Sequence, residues 1–296
     1  MKTFGSVLTA MVTPLNDDFS VNYEQAAKLA VRLVEKGGSD GLVVAGSTGE
    51  SATLTKDEKL KLFSAVLDAV GDKATVIANT GTNNTYESIE FTKQASKLGV
   101  HGAMMVGPYY NKPPQEGFYQ HFKVIAESSD LPFIIYNVPG RTGTNILPET
   151  LARLAEIPNI KAVKESSGNL DQISEICRIT PDDFWVYSGD DGITLPVLSV
   201  GGVGIVSVAA NVAAVGIKMQ AMIKAYLAGD VKKAAKLNAE LLPFFKVIFI
   251  TTNPIPIKEA VTLDGIDSGK IRLPLIPATS EESATISKVM KELGVL

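Results

Sequence analysis

Eight short apolar runs, each closed by a polar turn and followed by a helix-like stretch, recur at intervals of roughly 25–30 residues, and nothing else restricts the fold so strongly. They cover residues 7–13, 41–45, 75–79, 102–106, 132–137, 160–164, 184–188 and 204–208. The runs are almost continuously apolar, which is what strands covered on both faces require. Amphipathic segments lie between them, at 23–35, 57–70, 85–98 and 115–128, and Thr55 with Glu58 writes a capping-box start for the second. Eight even βα units in succession predict an α/β protein with a closed (β/α)8 TIM barrel. An open doubly wound sheet is the alternative, and it rarely holds eight units of such even length. Beyond the eighth run the pattern is helical only, at 213–228, 231–250, 258–263 and 280–293. This predicts a catalytic barrel over 1–228 and a small C-terminal helical unit over 229–296.

A chain of 296 residues suits one barrel with a short extension. With 45% hydrophobic and 20% charged residues it has the balance of a globular enzyme, and its net charge of −4 with scattered Lys and Arg offers no face for nucleic acid. Its one cysteine, Cys177, excludes an internal disulfide, so no oxidising compartment is required. The start, MKTFGSVLTAMVTP, is broken by Gly5, Ser6 and Thr9 and reads as a first strand rather than a signal peptide. The apolar run 247–250 is far too short for a bilayer. These features predict a cytoplasmic protein without a membrane partner.

In a barrel of this type chemistry sits at the C-terminal ends of the strands. Those positions hold Ser47 and Thr48, Tyr109 and Tyr110, Tyr136 and Arg141, Lys164, Gly189 and Asp190, and Val206. Lys164 is the most telling. Strand parity puts it on the face of Ile160 and Ala162, and burial there disfavours the charged form of an amine and favours the nucleophilic one. Taken alone, a lysine that snorkels from a strand end is slightly the better reading. Gly46-Ser47-Thr48-Gly49-Glu50 is a glycine-flanked turn whose N–H groups suit a carboxylate, although Ser47 and Glu50 also fit a capping box. Tyrosines at strand ends more often pack than catalyse, though a phenol with a hydroxyl partner can move protons. Of the two histidines, His101 precedes the fourth strand and His121 lies within a helix, so neither reaches the active end. Gly202-Val203-Gly204 precedes a strand, whereas phosphate loops follow one. The expectation is chemistry by amine, phenol and hydroxyl, with no metal and no cofactor.

Together these residues resemble the dihydrodipicolinate synthase/N-acetylneuraminate lyase family of pyruvate-dependent class I aldolases, over essentially the whole chain. The stretches that carry the resemblance are GSTGE at 46–50, GPYYNKPPQEGFYQHF at 107–122, YNVPGRTG at 136–143, VKESSGNL at 163–170, SGDDG at 188–192 and NPIPIKEAV at 253–261. The resemblance implies that Lys164 forms a Schiff base with pyruvate and that Ser47 and Thr48 hold its carboxylate. It makes Tyr136, Ser47 and a neighbouring subunit's Tyr110 a proton relay, and it makes Arg141 the cation for a second carboxylate. Gly189 and Val206 then line the site with backbone carbonyls. Ser47 departs from the synthase branch, which carries threonine there. Serine lacks the methyl that stiffens χ1, so the relay is looser, and Ser-Thr is commoner in the lyase branch. Arg141 outweighs it, because a guanidinium suits a substrate with its own carboxylate.

What the resemblance implies is therefore a lyase that condenses pyruvate with L-aspartate-4-semialdehyde, on the diaminopimelate route to lysine, in a homotetramer built as a dimer of dimers. An N-acetylneuraminate lyase or another pyruvate-dependent aldolase is the alternative. The resemblance also marks a candidate allosteric lysine site at Ser51, Ala52, Lys56, Lys59, Asn83, Glu87 and Tyr109. Strongly inhibited members commonly carry histidine at the position of Lys56, and often at that of Lys59.

Overall fold

The strands form where the apolar runs lie: β1 Val7–Ala10, β2 Gly41–Val44, β3 Thr75–Asn79, β4 Gly102–Val106, β5 Phe133–Asn137, β6 Ile160–Glu165, β7 Trp185–Ser188 and β8 Gly204–Ser207. They close in sequence order into one barrel, the TIM barrel expected. The structure, a computed structural model, describes residues 4–296, so the first three residues of the expected barrel region lie outside it. Several ends differ from expectation: β1 stops at Ala10 rather than 13, and β5, β7 and β8 are each one residue shorter. β2 stops at Val44 because Ala45 is left-handed, with φ of 54°, and β6 runs one residue further, to Glu165.

The helices are α1 Tyr23–Glu35, α2 Lys56–Val70, α3 Thr85–Lys97, α4 Gln115–Ala126, α5 Pro139–Thr142, α6 Pro148–Ala155, α7 Leu170–Ile179, α8 Thr194–Ser199, α9 Ala213–Leu227, α10 Val231–Val247, α11 Ile255–Leu263 and α12 Ser280–Glu292. α11 begins before the expected 258, because Pro256 sits in the first turn, where its missing N–H costs nothing. The Thr55–Glu58 capping box of α2 is complete, with bonds of 2.8 and 3.2 Å in its two directions. Among the described residues no helix is long and apolar enough to cross a membrane.

The chain divides into two compact units, residues 77–206 and residues 4–76 with 207–296. In the first, Phe133, Ile135, Ile160 and Val163 pack outward into one apolar cluster with residues of α4, α6 and α7. Here the parity expectation needs correction. Phe133 pairs with Ile160 but Ile134 pairs with Ala162, a bulge that turns Ile160 out to the helices. Ile160 therefore does not share the face of Ala162 and Lys164. In the second unit β1 and β2 pair from Leu8 with Gly41 onward, and α1, α2 and α9 to α12 complete it.

Candidate active site

Lys164 occupies the last turn-facing part of β6, between two phenols. Its register partners are Tyr136 on β5 and Tyr187 on β7, so all three side chains leave the sheet on one side. Lys164 is only 4% exposed, Tyr136 5% and Tyr187 fully buried. The amine lies 4.2 Å from the centroid of the Tyr136 ring, a face that attracts a cation and here holds the amine in place. The snorkelling alternative is thereby removed: this lysine does not end in bulk water.

Gly189 follows β7 and clears the space beside that stem. A Cβ at Gly189 would meet Ser166 Oγ at 1.9 Å and Lys164 Cγ and Cε at 3.0 Å, so no other residue fits there without displacing the lysine. Its N–H donates to the Glu165 carbonyl at 2.8 Å, tying the turn to β6. Ser166 Oγ is buried without a hydrogen-bond partner next to this stem. Val206, on β8, is buried, and Asp190 caps the turn after β7 by accepting from the Gly192 N–H at 2.9 Å.

Arg141 and Tyr110 stand on loops. Arg141 is exposed within the short helix α5 that follows β5. Tyr110 is 90% exposed and left-handed, with φ of 72°, a costly conformation for a non-glycine residue. Beside it Tyr109 is 41% exposed, and its carbonyl accepts from Asn83 Nδ2 at 3.2 Å. Glu87 is exposed on α3.

The second unit carries Ser47 and Thr48. The turn after β2 folds on itself: Gly49 and Ser51 N–H donate to the Gly46 carbonyl, and Glu50 N–H donates to that of Ser47. The N–H groups of Ser47 and Thr48 are not used in these turns, which leaves two adjacent donors of the kind that bind a carboxylate. Thr48 is buried, and its Oγ1 accepts from Asn253 Nδ2 at 3.0 Å. Ser47 is half-buried. Thr13 Oγ1 donates to the Gly49 carbonyl at 2.8 Å.

The Ser47–Glu50 capping box does not form. Glu50 is left-handed, with φ of 57°, and its carboxylate turns away from Ser47 to Lys258 on α11, at 2.7 Å, and to the Arg272 N–H, at 3.0 Å. Both members of this ion pair are buried. The Lys258 amine also donates to the carbonyls of Thr13 and Lys270. Burial pushes the Lys258 amine below the usual lysine range, while Glu50 pulls it back up. Ser51 and Ala52 form a short 3-10 turn, and Lys56 and Lys59 stand half-buried at the start of α2. Among the described residues no three of His, Cys, Asp and Glu gather as a metal-binding group.

Sequence reading did not mark Tyr187, Asn253, Glu165 or the Lys258–Glu50 pair as parts of the site.

A sequence profile of the Dihydrodipicolinate synthetase family matches residues 3–293. A 4-hydroxy-tetrahydrodipicolinate synthase of Moorella thermoacetica is 57% identical over 293 residues, 99% of both chains. Among solved structures, dihydrodipicolinate synthase from Cyanidioschyzon merolae with lysine bound superposes with a TM-score of 0.97 at 46% identity, over 100% of both chains. A monomeric dihydrodipicolinate synthase variant superposes with a TM-score of 0.95 at 43% identity, over 98% of this chain and 97% of its own. With a buried strand-end amine between two phenols and these full-length matches, the chain belongs to the dihydrodipicolinate synthetase family.

Proposed function

We propose that the chain condenses pyruvate with L-aspartate-4-semialdehyde through a Schiff base on Lys164, giving 4-hydroxy-tetrahydrodipicolinate on the diaminopimelate route to lysine. The observation that carries this is the Lys164 amine, buried over the Tyr136 ring with Gly189 clearing its stem. The amine adds to the pyruvate ketone, and loss of water gives an imine. The imine withdraws electrons, so the pyruvate methyl loses a proton and an enamine forms. The enamine carbon attacks the aldehyde carbon of the semialdehyde. The substrate's own amine then displaces Lys164, closing a six-membered ring and returning the lysine free.

Tyr136, Ser47 and the partner subunit's Tyr110 pass the protons of these steps. Thr48 and the adjacent N–H groups hold the pyruvate carboxylate, Arg141 holds that of the semialdehyde, and the carbonyls of Gly189 and Val206 line the site. In this reading the barrel, 1–228, carries the chemistry and 229–296 is a helical unit that supports it, acting in the cytoplasm. Exposure of the Tyr110 phenol favours its use by a second copy, in a homotetramer. Sedimentation of the active enzyme should show a species larger than a monomer, and full activity in a monomer refutes the shared relay.

The function is tested by borohydride reduction in the presence of pyruvate, followed by peptide mapping and a coupled assay. The expected result is a stable adduct on Lys164 and turnover with aspartate semialdehyde. An adduct elsewhere refutes the mechanism, and cleavage of N-acetylneuraminate without turnover of the semialdehyde refutes the substrate.

A further inference from the structure

We propose that Glu165 is a positioning residue for the loop that carries Arg141, working through the orientation it imposes on the side-chain amides at that loop's two ends. The inference rests on the reading of Arg141 as the cation for the semialdehyde carboxylate. Glu165 follows Lys164 in sequence but leaves β6 on the opposite side, beside its register partner Asn137 on β5. It is fully buried, and its partners are neutral. Oε1 accepts from the Ser167 N–H at 2.7 Å, and Oε2 accepts from Asn137 Nδ2 at 2.9 Å and from Gln172 Nε2 at 3.5 Å.

A carboxylate only accepts, whereas a carboxamide has one donating and one accepting end. Glu165 therefore fixes which way Asn137 and Gln172 face. With Nδ2 turned to Glu165 and to Asn145 Oδ1, the Asn137 Oδ1 accepts from the Ile146 N–H at 3.0 Å. With Nε2 turned to Glu165, the Gln172 Oε1 accepts from Asn145 Nδ2 at 2.7 Å. The segment that carries Arg141 leaves β5 directly after Asn137 and returns at Asn145 and Ile146. Both ends are thus held by amides whose polarity Glu165 sets. Between them Arg141 is placed by its N–H bond to the Val138 carbonyl at 2.9 Å and by the matching Gly143–Pro139 bond. Burial pushes the Glu165 carboxyl up, while its donors Ser167, Asn137 and Gln172 work against that rise. A buried acid that faces away from the reacting amine, and whose two carboxamide partners hold the two ends of one loop, has its effect on that loop.

The test compares Glu165→Gln with Arg141→Ala in steady-state kinetics and in borohydride trapping with pyruvate. Glu165→Gln turns one acceptor into a donor facing donors. It should raise the semialdehyde KM about tenfold, with the pyruvate KM and the rate of Lys164 adduct formation within about twofold of wild type. An unchanged semialdehyde KM in Glu165→Gln, beside a raised one in Arg141→Ala, overturns the positioning role and leaves the reading of Arg141 intact. A parallel loss on both substrates reduces Glu165 to a structural residue and also overturns it. An unchanged KM in Arg141→Ala refutes the reading itself. Should Glu165→Gln not fold, Gln172→Ala decides: a selective rise in the semialdehyde KM supports the proposal and none overturns it.

Discussion

Each of the two units buries a carboxylate behind a loop that follows a strand, and they hold it by opposite means. Glu50, behind the turn of Ser47 and Thr48, faces the Lys258 cation at 2.7 Å. Glu165, behind the loop of Arg141, faces a backbone N–H and two carboxamides. The contrast extends beyond these residues. In the first unit His121 is buried with Thr85 as its partner, and burial holds its pKa down at about 4, so it is neutral near pH 7. In the second, Arg272 holds the Glu58 carboxyl at about 2, so it stays charged. An ion pair fixes a loop by energy, because either charge alone is costly to bury. An amide network fixes a loop by direction, because each amide must face one way.

The largest effect expected from this contrast is in the second unit. Lys258→Met leaves Glu50 buried without its cation, and breaking such a pair costs about 3–5 kcal/mol of stability. Chemical denaturation should show that loss, and trapping of pyruvate on Lys164 should slow, because the released Glu50 no longer pins the turn. Pairing it with Glu50→Gln should restore part of the stability, since no lone charge is then buried. A cost under about 1 kcal/mol, typical of exposed pairs, would erase the distinction between the units.

That distinction was hardly visible in the sequence, although the barrel was. Apolar runs of β-branched residues are local signals, and all eight became strands within a few residues. Lys164 and Gly189 could be named as candidates because chemistry in such barrels sits at strand ends, and both lie at the ends of the strands that formed. The failures come from two physical sources. One is backbone conformation that side-chain identity does not encode: Glu50 in the left-handed region defeats the capping box, and a bulge beside Phe133 turns Ile160 outward. The other is sequence distance. Lys258 and Glu50 are 208 residues apart and Asn137 and Glu165 are 28 apart, so neither pairing leaves a local pattern. Glu165 in the run VKESSGNL reads as an ordinary polar residue at a strand end until its burial is known.

A pH titration of stability examines the neutral side of the comparison. His121 in the folded chain sits at about 4, below its ordinary 6.5. Between those values the unfolded chain takes up a proton that the folded chain refuses. The contribution is therefore complete above pH 6.5 and is lost as pH falls towards 4, at most on the order of 3–4 kcal/mol. Glu165 runs the other way: its raised pKa means the folded chain binds its proton first, which favours folding as pH drops towards the ordinary carboxylate range. Comparison with His121→Asn isolates the histidine, because the carboxamide replaces Nδ1 towards Thr85 and does not titrate. The variant should lose less stability than wild type between pH 7 and pH 5, by thermal denaturation. Equal slopes would show that burial of His121 does not set its charge.

The smallest effect concerns the cations of the second unit and a ligand that brings another. Of the candidate lysine contacts that the resemblance marks, Ser51, Ala52, Lys56 and Lys59 belong to the second unit and Asn83, Glu87 and Tyr109 to the first. Asn83 and Tyr109 are joined through the Tyr109 carbonyl, which fixes that half of the set. Lys56 and Lys59 stand half-buried on the first turn of α2 and just beyond it, where the resemblance expects histidine in strongly inhibited members. Free lysine carries its own ammonium group, and like charges a few ångströms apart repel by on the order of 1 kcal/mol or more when partly screened from water. Each 1.4 kcal/mol of that repulsion weakens binding about tenfold. Free lysine should therefore inhibit weakly or not at all, with half-inhibition above about a millimolar, equivalent to roughly 4 kcal/mol of binding. Lys56→His together with Lys59→His should lower that concentration, since imidazoles are largely uncharged at neutral pH. Titrating L-lysine into the coupled assay decides: half-inhibition of the unaltered enzyme below a millimolar means that the two cations do not oppose the ligand.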